Sequence, residues 1–156
     1  TATNPPYTIP YRDGRYSLKE TFSRISKFRD YIEQNSYINL KGKNIVIKNL
    51  ATALIAQESG GDARITSRSN ARGLTQLMPE TARDMGLRVD RYVDHRLDPE
   101  LSIEKGLKYF KWQMEENPDD IRMSLIAYNA GPNIVRRLAS KRLRWNQLKE
   151  YQLVSQ

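Results

Sequence analysis

The sequence predicts a mainly α, single globular domain with very little sheet and an N-terminal helical extension. Three observations carry this expectation. Apolar residues recur at helical spacing in several segments. Glycine and proline fall between those segments, where they start or stop helices. No segment alternates apolar and polar residues convincingly, although a small hairpin or strand pair within 62–76 stays open.

Residues 1–16 read as an irregular arm, because Pro5, Pro6 and Pro10 forbid a regular helix and Asp13-Gly14 marks a turn. Ser17 and Glu20 form a capping-box pattern. The stripe Leu18, Phe22, Ile25, Phe28 or Arg29, and Ile32 then predicts an amphipathic helix that ends near Tyr37 and packs its apolar face on the core. Lys41-Gly42-Lys43 is a turn. From Ile45 to Glu58 a second helix is predicted, with Ile47, Ala51, Leu54 and Glu58 on one face and Gly60-Gly61 as its stop. A polar loop covers 62–72. Pro79 opens a short helix that ends at Gly86. A loop follows to about residue 100, and Asp98-Pro99-Glu100 begins a helix striped by Ile103, Leu107, Phe110 and Met114. Asn117-Pro118 breaks it, and Asp119 begins the next helix, which reaches Tyr128. Gly131-Pro132 separates that helix from a short one over 133–139, and 145–151 forms a last helical turn.

Composition narrows the class of function. The chain has 156 residues, 38% hydrophobic and 28% charged, which suits a modest core with a wet surface. No apolar run approaches the length of a membrane span, and no signal-like segment opens the sequence. The 26 basic and 18 acidic residues give a net charge of +8, which draws the protein toward polyanions. With no cysteine and a single histidine, His95, thiolate sites and zinc sites built on several histidines are excluded. His95 reads as a surface loop residue. Nucleic-acid binding is favoured by charge alone, since no ordered binding motif is present.

Glu58 is the residue with the most chemical content. A carboxylate that continues a core-facing stripe is costly unless it is protonated, paired or functional. Burial and the negative end of the helix dipole both raise its pKa, as a general acid working near neutral pH requires. On spacing alone, the reading in which Glu58 merely ends its helix and points to water stays equally open.

Four blocks settle the family that this sequence resembles. They are Ala53-Leu54-Ile55-Ala56-Gln57-Glu58-Ser59; the run from Ser67 to Pro79 with Gly73-Leu74-Thr75-Gln76-Leu77-Met78; Leu97-Asp98-Pro99-Glu100-Leu101-Ser102-Ile103 followed by Gly106; and Ala127-Tyr128-Asn129-Ala130-Gly131-Pro132. In this order and with these gaps, the chain from about Lys48 to Leu138 resembles the catalytic domain of soluble lytic transglycosylases. The resemblance implies a lysozyme-like fold. It also implies cleavage of peptidoglycan between N-acetylmuramic acid and N-acetylglucosamine by one carboxyl group. Glu58 matches that carboxyl. It would protonate the glycosidic oxygen, then take the proton of the 6-hydroxyl as a 1,6-anhydro ring closes. No metal and no cofactor is implied.

The resemblance also assigns supporting roles. Gln76 matches a glutamine lining the sugar cleft, Ser67 a serine near the acid or the substrate, Tyr128 a tyrosine facing the catalytic glutamate, and Asn129 a residue that binds sugar or ties down a loop. Three positions depart from the family pattern. Asn70 replaces a glycine, and asparagine tolerates the left-handed backbone that the turn needs. Thr75 replaces a methionine, which is expected to remove a flexible apolar surface near the bound sugar. Ser102 replaces an asparagine.

The expected organisation is an N-terminal arm and amphipathic helix over 1–44, packed on the body, the catalytic domain over 45–140, and a basic C-terminal tail over 141–156. Trp112 is expected to pack on the core. Arg136, Arg137, Lys141, Arg142 and Arg144 are candidates for holding anionic cell-wall polymers. The expected partner is the peptidoglycan glycan strand, with secretion or phage structural partners also open, and without nucleic acid or a transmembrane segment. The setting implied is the bacterial periplasm or envelope, or a phage virion acting on it. Two alternatives remain. One is a hydrolytic muramidase of a phage particle or lysis system, in which one of Asp62, Asp84, Asp94 and Asp98 positions water. The other is a structural component of a secretion or phage assembly with weak muralytic activity.

Overall fold

The structure, a computed structural model, describes residues 17–140. The arm before Ser17, the tail after Ser140 and the helical turn expected over 145–151 lie outside the described residues. Within them run helices α1 (Leu18–Ser26) and α2 (Arg29–Gln34), strands β1 (Tyr37–Leu40) and β2 (Lys43–Val46), and helices α3 (Lys48–Ser59), α4 (Pro79–Asp84), α5 (Pro99–Glu116), α6 (Ile121–Ala130) and α7 (Pro132–Ser140). A 3-10 turn spans His95–Leu97. No helix among the described residues is long and apolar enough to cross a membrane.

The chain divides into two compact units. One holds 17–38 and Asn44–Lys108; the other holds Asn39–Lys43 and 109–140. In the first unit α1 and α2 pack on α3. Its core is formed by Ile25, Ile32, Ile47, Ala51, Leu54, Ile55, Leu74, Leu77, Ile103 and Leu107, all buried. Each large aliphatic side chain among them contributes roughly 1.5–3 kcal/mol by leaving water. In the second unit α6 and α7 pack together through Met123, Ala127 and Val135.

The capping box at Ser17 forms as its sequence predicts. The Glu20 amide donates to Ser17 Oγ at 3.2 Å, and the Ser17 amide donates to the Glu20 carboxylate at 2.8 Å. The helix does not continue to Tyr37. It breaks at Lys27 and Phe28, and a separate α2 follows. Ile25 and Ile32 are buried, but Leu18 and Phe22 are 57% and 50% exposed, so the stripe packs only where α3 lies beneath it. The hairpin is the second correction. Residues 43–46 form a strand rather than the first turn of α3, because Lys41 (φ 51) and Gly42 (φ 80) close a two-residue turn of the type I′ kind. Their positive φ matches the twist of the paired strands, and Asn39 Oδ1 accepts the Gly42 amide at 3.1 Å. Further on, Asp120, not Asp119, caps α6 by accepting the Arg122 amide, while the Asp119 carboxylate takes an ion pair from Lys41.

Candidate active site

Helix α3 carries Glu58 to the site. Ile47 stands at its N-cap, and Ala51, Leu54 and Glu58 continue one buried face. Glu58 is only 2% exposed. Burial pushes its carboxyl up to about 8. Neither carboxyl oxygen has a hydrogen-bond partner among the described residues. A carboxyl in this state holds its proton at neutral pH and keeps it free to give to an incoming oxygen. The reading in which Glu58 points to water is therefore set aside.

The end of α3 is fixed on several sides. Gly60 takes the left-handed conformation (φ 61) and its amide bonds the Ala56 carbonyl. The Ser59 hydroxyl donates to the Ile55 carbonyl at 3.0 Å and accepts the Gly61 amide at 3.2 Å. From α1, Arg24 Nε donates to the Gly60 carbonyl at 3.0 Å.

After this stop comes the loop that holds Ser67 and Gln76. It is neither strand nor coil. Isolated antiparallel bridges join Thr66 to Arg72 and Arg72 to Leu77, which is as far as the strand pairing left open for 62–76 goes. Ser67 closes its tip: the Ala71 amide donates to Ser67 Oγ at 3.0 Å, and the Ser67 amide donates to the Ala71 carbonyl at 2.8 Å. Asn70 sits at φ 68, the left-handed backbone expected where the family has glycine. Gln76 also lies at positive φ (50), a conformation that costs a non-glycine residue roughly 1 kcal/mol or more. Its side-chain nitrogen donates to the Ile65 and Gly73 carbonyls at 3.1 and 3.0 Å. These bonds hold the strained residue in place.

Sequence reasoning missed the residue that clamps this loop. Arg96, buried in the 3-10 turn, donates from Nε and Nη2 to the two oxygens of Asp94, and from Nη1 to the carbonyls of Asn70 and Leu77 at 2.6 and 3.0 Å. Arg72 adds a second guanidinium on Asp94 at 3.0 Å. Burial by itself would raise the Asp94 carboxyl. The Arg96 hydrogen bonds and the charges of Arg96 and Arg72 outweigh it and hold the group below the usual carboxylate range. Gly73 completes the clamp, since a Cβ there would lie 1.9 Å from the Arg96 carbonyl oxygen. Nothing in the spacing of these residues announces the arrangement. His95 is half-buried, with Nδ1 accepting the Arg88 amide, and is tied into the same turn rather than free on the surface.

Thr75 faces inward. It is fully buried, with Oγ1 donating to the Ser102 carbonyl at 3.0 Å. It presents nothing to a sugar, because its side chain fills the space beside Gly106.

Tyr128 and Asn129 lie on α6 in the second unit. The Tyr128 ring is buried and stacks at a tilt on Tyr109 (5.4 Å between centroids) and edge-on against Phe110 (5.7 Å). The Asn129 side-chain amide donates to the Leu125 carbonyl one turn back at 2.9 Å. Trp112 is 49% exposed on α5, so it does not cover the core as expected. Of the basic cluster, Arg136 and Arg137 are exposed on α7, and Lys141, Arg142 and Arg144 lie outside the described residues.

The family described as the transglycosylase SLT domain matches residues 36–150. This chain belongs to that family. Among curated proteins, the SLT domain is similar to the membrane-bound lytic murein transglycosylase F of Haemophilus influenzae, 31% identical over 135 residues that cover 74% of this chain and 27% of that protein. It is similar also to the protein of the same name from Pseudomonas putida, 34% identical over 125 residues, or 76% of this chain and 24% of the relative. The chain thus spans about a quarter of the length of these relatives. Among solved structures it is similar to the 70 kDa soluble lytic transglycosylase of Escherichia coli, with a TM-score of 0.57 and 30% identity over 72% of this chain and 18% of that one. An inactive mutant of the lytic transglycosylase Slt from Pseudomonas aeruginosa shares the fold, with a TM-score of 0.50 and 23% identity over 80% of this chain and 19% of that one. The SLT domain therefore has the mainly helical, lysozyme-like fold expected from its sequence.

Proposed function

We propose that this SLT domain cleaves peptidoglycan glycan strands between N-acetylmuramic acid and N-acetylglucosamine, as a lytic transglycosylase with Glu58 as its acid and base. The observation that carries the reading is the state of Glu58: buried, with its carboxyl raised to about 8 and both oxygens without a partner among the described residues. Glu58 gives its proton to the glycosidic oxygen, and the bond from that oxygen to C1 of the muramyl sugar breaks. The substrate's own N-acetyl group shares the positive charge that develops. The Glu58 carboxylate then removes the proton of the 6-hydroxyl, whose oxygen bonds C1 and closes the 1,6-anhydro ring. The proton ends on Glu58 again and no water is consumed.

Of the four aspartates weighed as a second carboxylate, three are engaged in holding the fold, which favours this route over hydrolysis. Asp94 is engaged by two arginines. Asp98 accepts the Leu101 amide at the start of α5, and Asp62 accepts the Arg64 amide. Asp84 is exposed on the last residue of α4. On the strength of the family blocks, Ser67, Gln76, Tyr128 and Asn129 are carried as substrate-binding residues. Of these, Gln76 has the clearest support, from its strained backbone and engaged amide nitrogen. The bacterial envelope is the proposed setting, and exposed Arg136 and Arg137 are proposed contacts for its anionic polymers.

Digestion of purified peptidoglycan followed by mass analysis of the products tests the reading. Anhydro-muramyl ends are expected. Reducing ends would instead make the protein a hydrolytic muramidase, and cut peptides on intact glycans would overturn both.

A further inference from the structure

The family match begins at residue 36, so α1 lies ahead of it in the chain. Yet α1 packs on α3, and it does so at the end that carries Glu58. Two contacts define the junction. Arg24 Nε donates to the Gly60 carbonyl at 3.0 Å, two residues past Glu58. A Cβ added to Gly61 would lie 2.9 Å from Arg24 Cβ and 3.0 Å from Ile25 Cγ1, so the backbone at the end of α3 and the body of α1 are in direct contact. Gly61 also stands at φ 78, which strains any other residue.

We propose that Arg24 is a positioning residue for Glu58, and that α1 is a working part of the catalytic unit rather than an appendage to it. The last carbonyls of a helix have no partner within it, and they are satisfied by caps, water or side chains from elsewhere. Here a guanidinium from another helix takes one of them. The bond fixes where α3 stops and hence where the Glu58 side chain leaves the backbone. An acid that must reach one oxygen and then another depends on that placement, since displacement of about 1 Å costs up to roughly a hundredfold in rate. The inference rests on Glu58 being the acid and base of the reaction.

The test is steady-state kinetics on soluble glycan strands of defined length, with circular dichroism and urea midpoints measured beside it. Arg24→Met should lower kcat about tenfold or more while KM stays within about twofold, because the sugar-binding groups are untouched and only the acid is displaced. Arg24→Lys, which keeps a donor and a charge, should recover part of the loss. Gly61→Ala, which forces the same junction from the other side, should reproduce the kcat defect. It also stands in for Arg24→Met should that variant fail to fold. A wild-type kcat in Arg24→Met, or a defect confined to KM, would overturn the assignment of Arg24 and leave Glu58 in place. A wild-type protein that cleaves no glycan would overturn both.

Discussion

The hydroxyl of Thr75 donates to the main-chain carbonyl of Ser102 and lies 3.0 Å from the Ser102 hydroxyl, so two of the three positions at which this chain departs from the family pattern touch each other. A single buried contact contains both substitutions. The pair also shares its space with Gly106, where a Cβ would fall 2.2 Å from Thr75 Oγ1. A small polar side chain on the loop, with a serine and a glycine on α5, allows the two segments to approach closely.

Restoring methionine at position 75 should overfill this space and remove the Thr75 hydroxyl bond to the Ser102 carbonyl. Thr75→Met alone should cost about 1–3 kcal/mol of stability. Combined with Ser102→Asn, it should cost less than the sum of the two single changes, by at least about 0.5 kcal/mol. Urea midpoints of the four proteins in the cycle measure this.

Glu58→Gln should abolish glycan cleavage and keep the fold. Its effect on stability should depend on pH. The native carboxyl titrates near 8 and the unfolded one near 4.5, so the group is raised on folding. Between these values the unfolded chain releases the proton while the native state holds it, and wild type loses stability as pH rises. The neutral variant escapes this loss. Its melting temperature relative to wild type should be independent of pH below 4.5, gain steadily from there, and level off above about 8. A constant difference from pH 4 to pH 9 would show that Glu58 is not held protonated. Cleavage by wild type should fall above about pH 8 for the same reason.

Arg96→Met should destabilise the protein by about 1.5–3 kcal/mol, since it takes from half-buried Asp94 its main partner and frees the Asn70 and Leu77 carbonyls. The damage should centre on the loop. Amide exchange at Ala71, Arg72 and Gln76 should speed up before that of α3.

Tyr128→Phe should retain the ring contacts with Tyr109 and Phe110 and so cost under about 1 kcal/mol in stability. Cleavage should nonetheless fall about tenfold or more if its hydroxyl serves the reaction as the family pattern implies. Rates and melting curves on the same preparation separate the two effects.

Helices were legible where period and punctuation agreed. Ile103, Leu107, Phe110 and Met114 are all buried along α5, and Asp98 caps it as its place before Pro99 predicts. The hairpin over 37–46 escaped notice because its strands are four residues each and mostly exposed, too short and too wet for alternation to register. The only sign was Lys-Gly at the turn. Leu18, Phe22 and Trp112 misled for a related reason: apolar character predicts burial only where a neighbouring element arrives to cover it.

By itself the sequence determined the order of the helices, the family to which the chain belongs and the identity of Glu58 as the candidate acid. Those are properties of local spacing and of ordered residue blocks, which a chain carries whether folded or not. Only the tertiary structure decided that Glu58 is dry, that Thr75 points inward, that Arg96 clamps the loop of Gln76 and that Arg24 meets the end of α3. Desolvation and hydrogen bonding between distant segments depend on which groups are brought within a few ångströms, and that proximity exists only once the chain has packed.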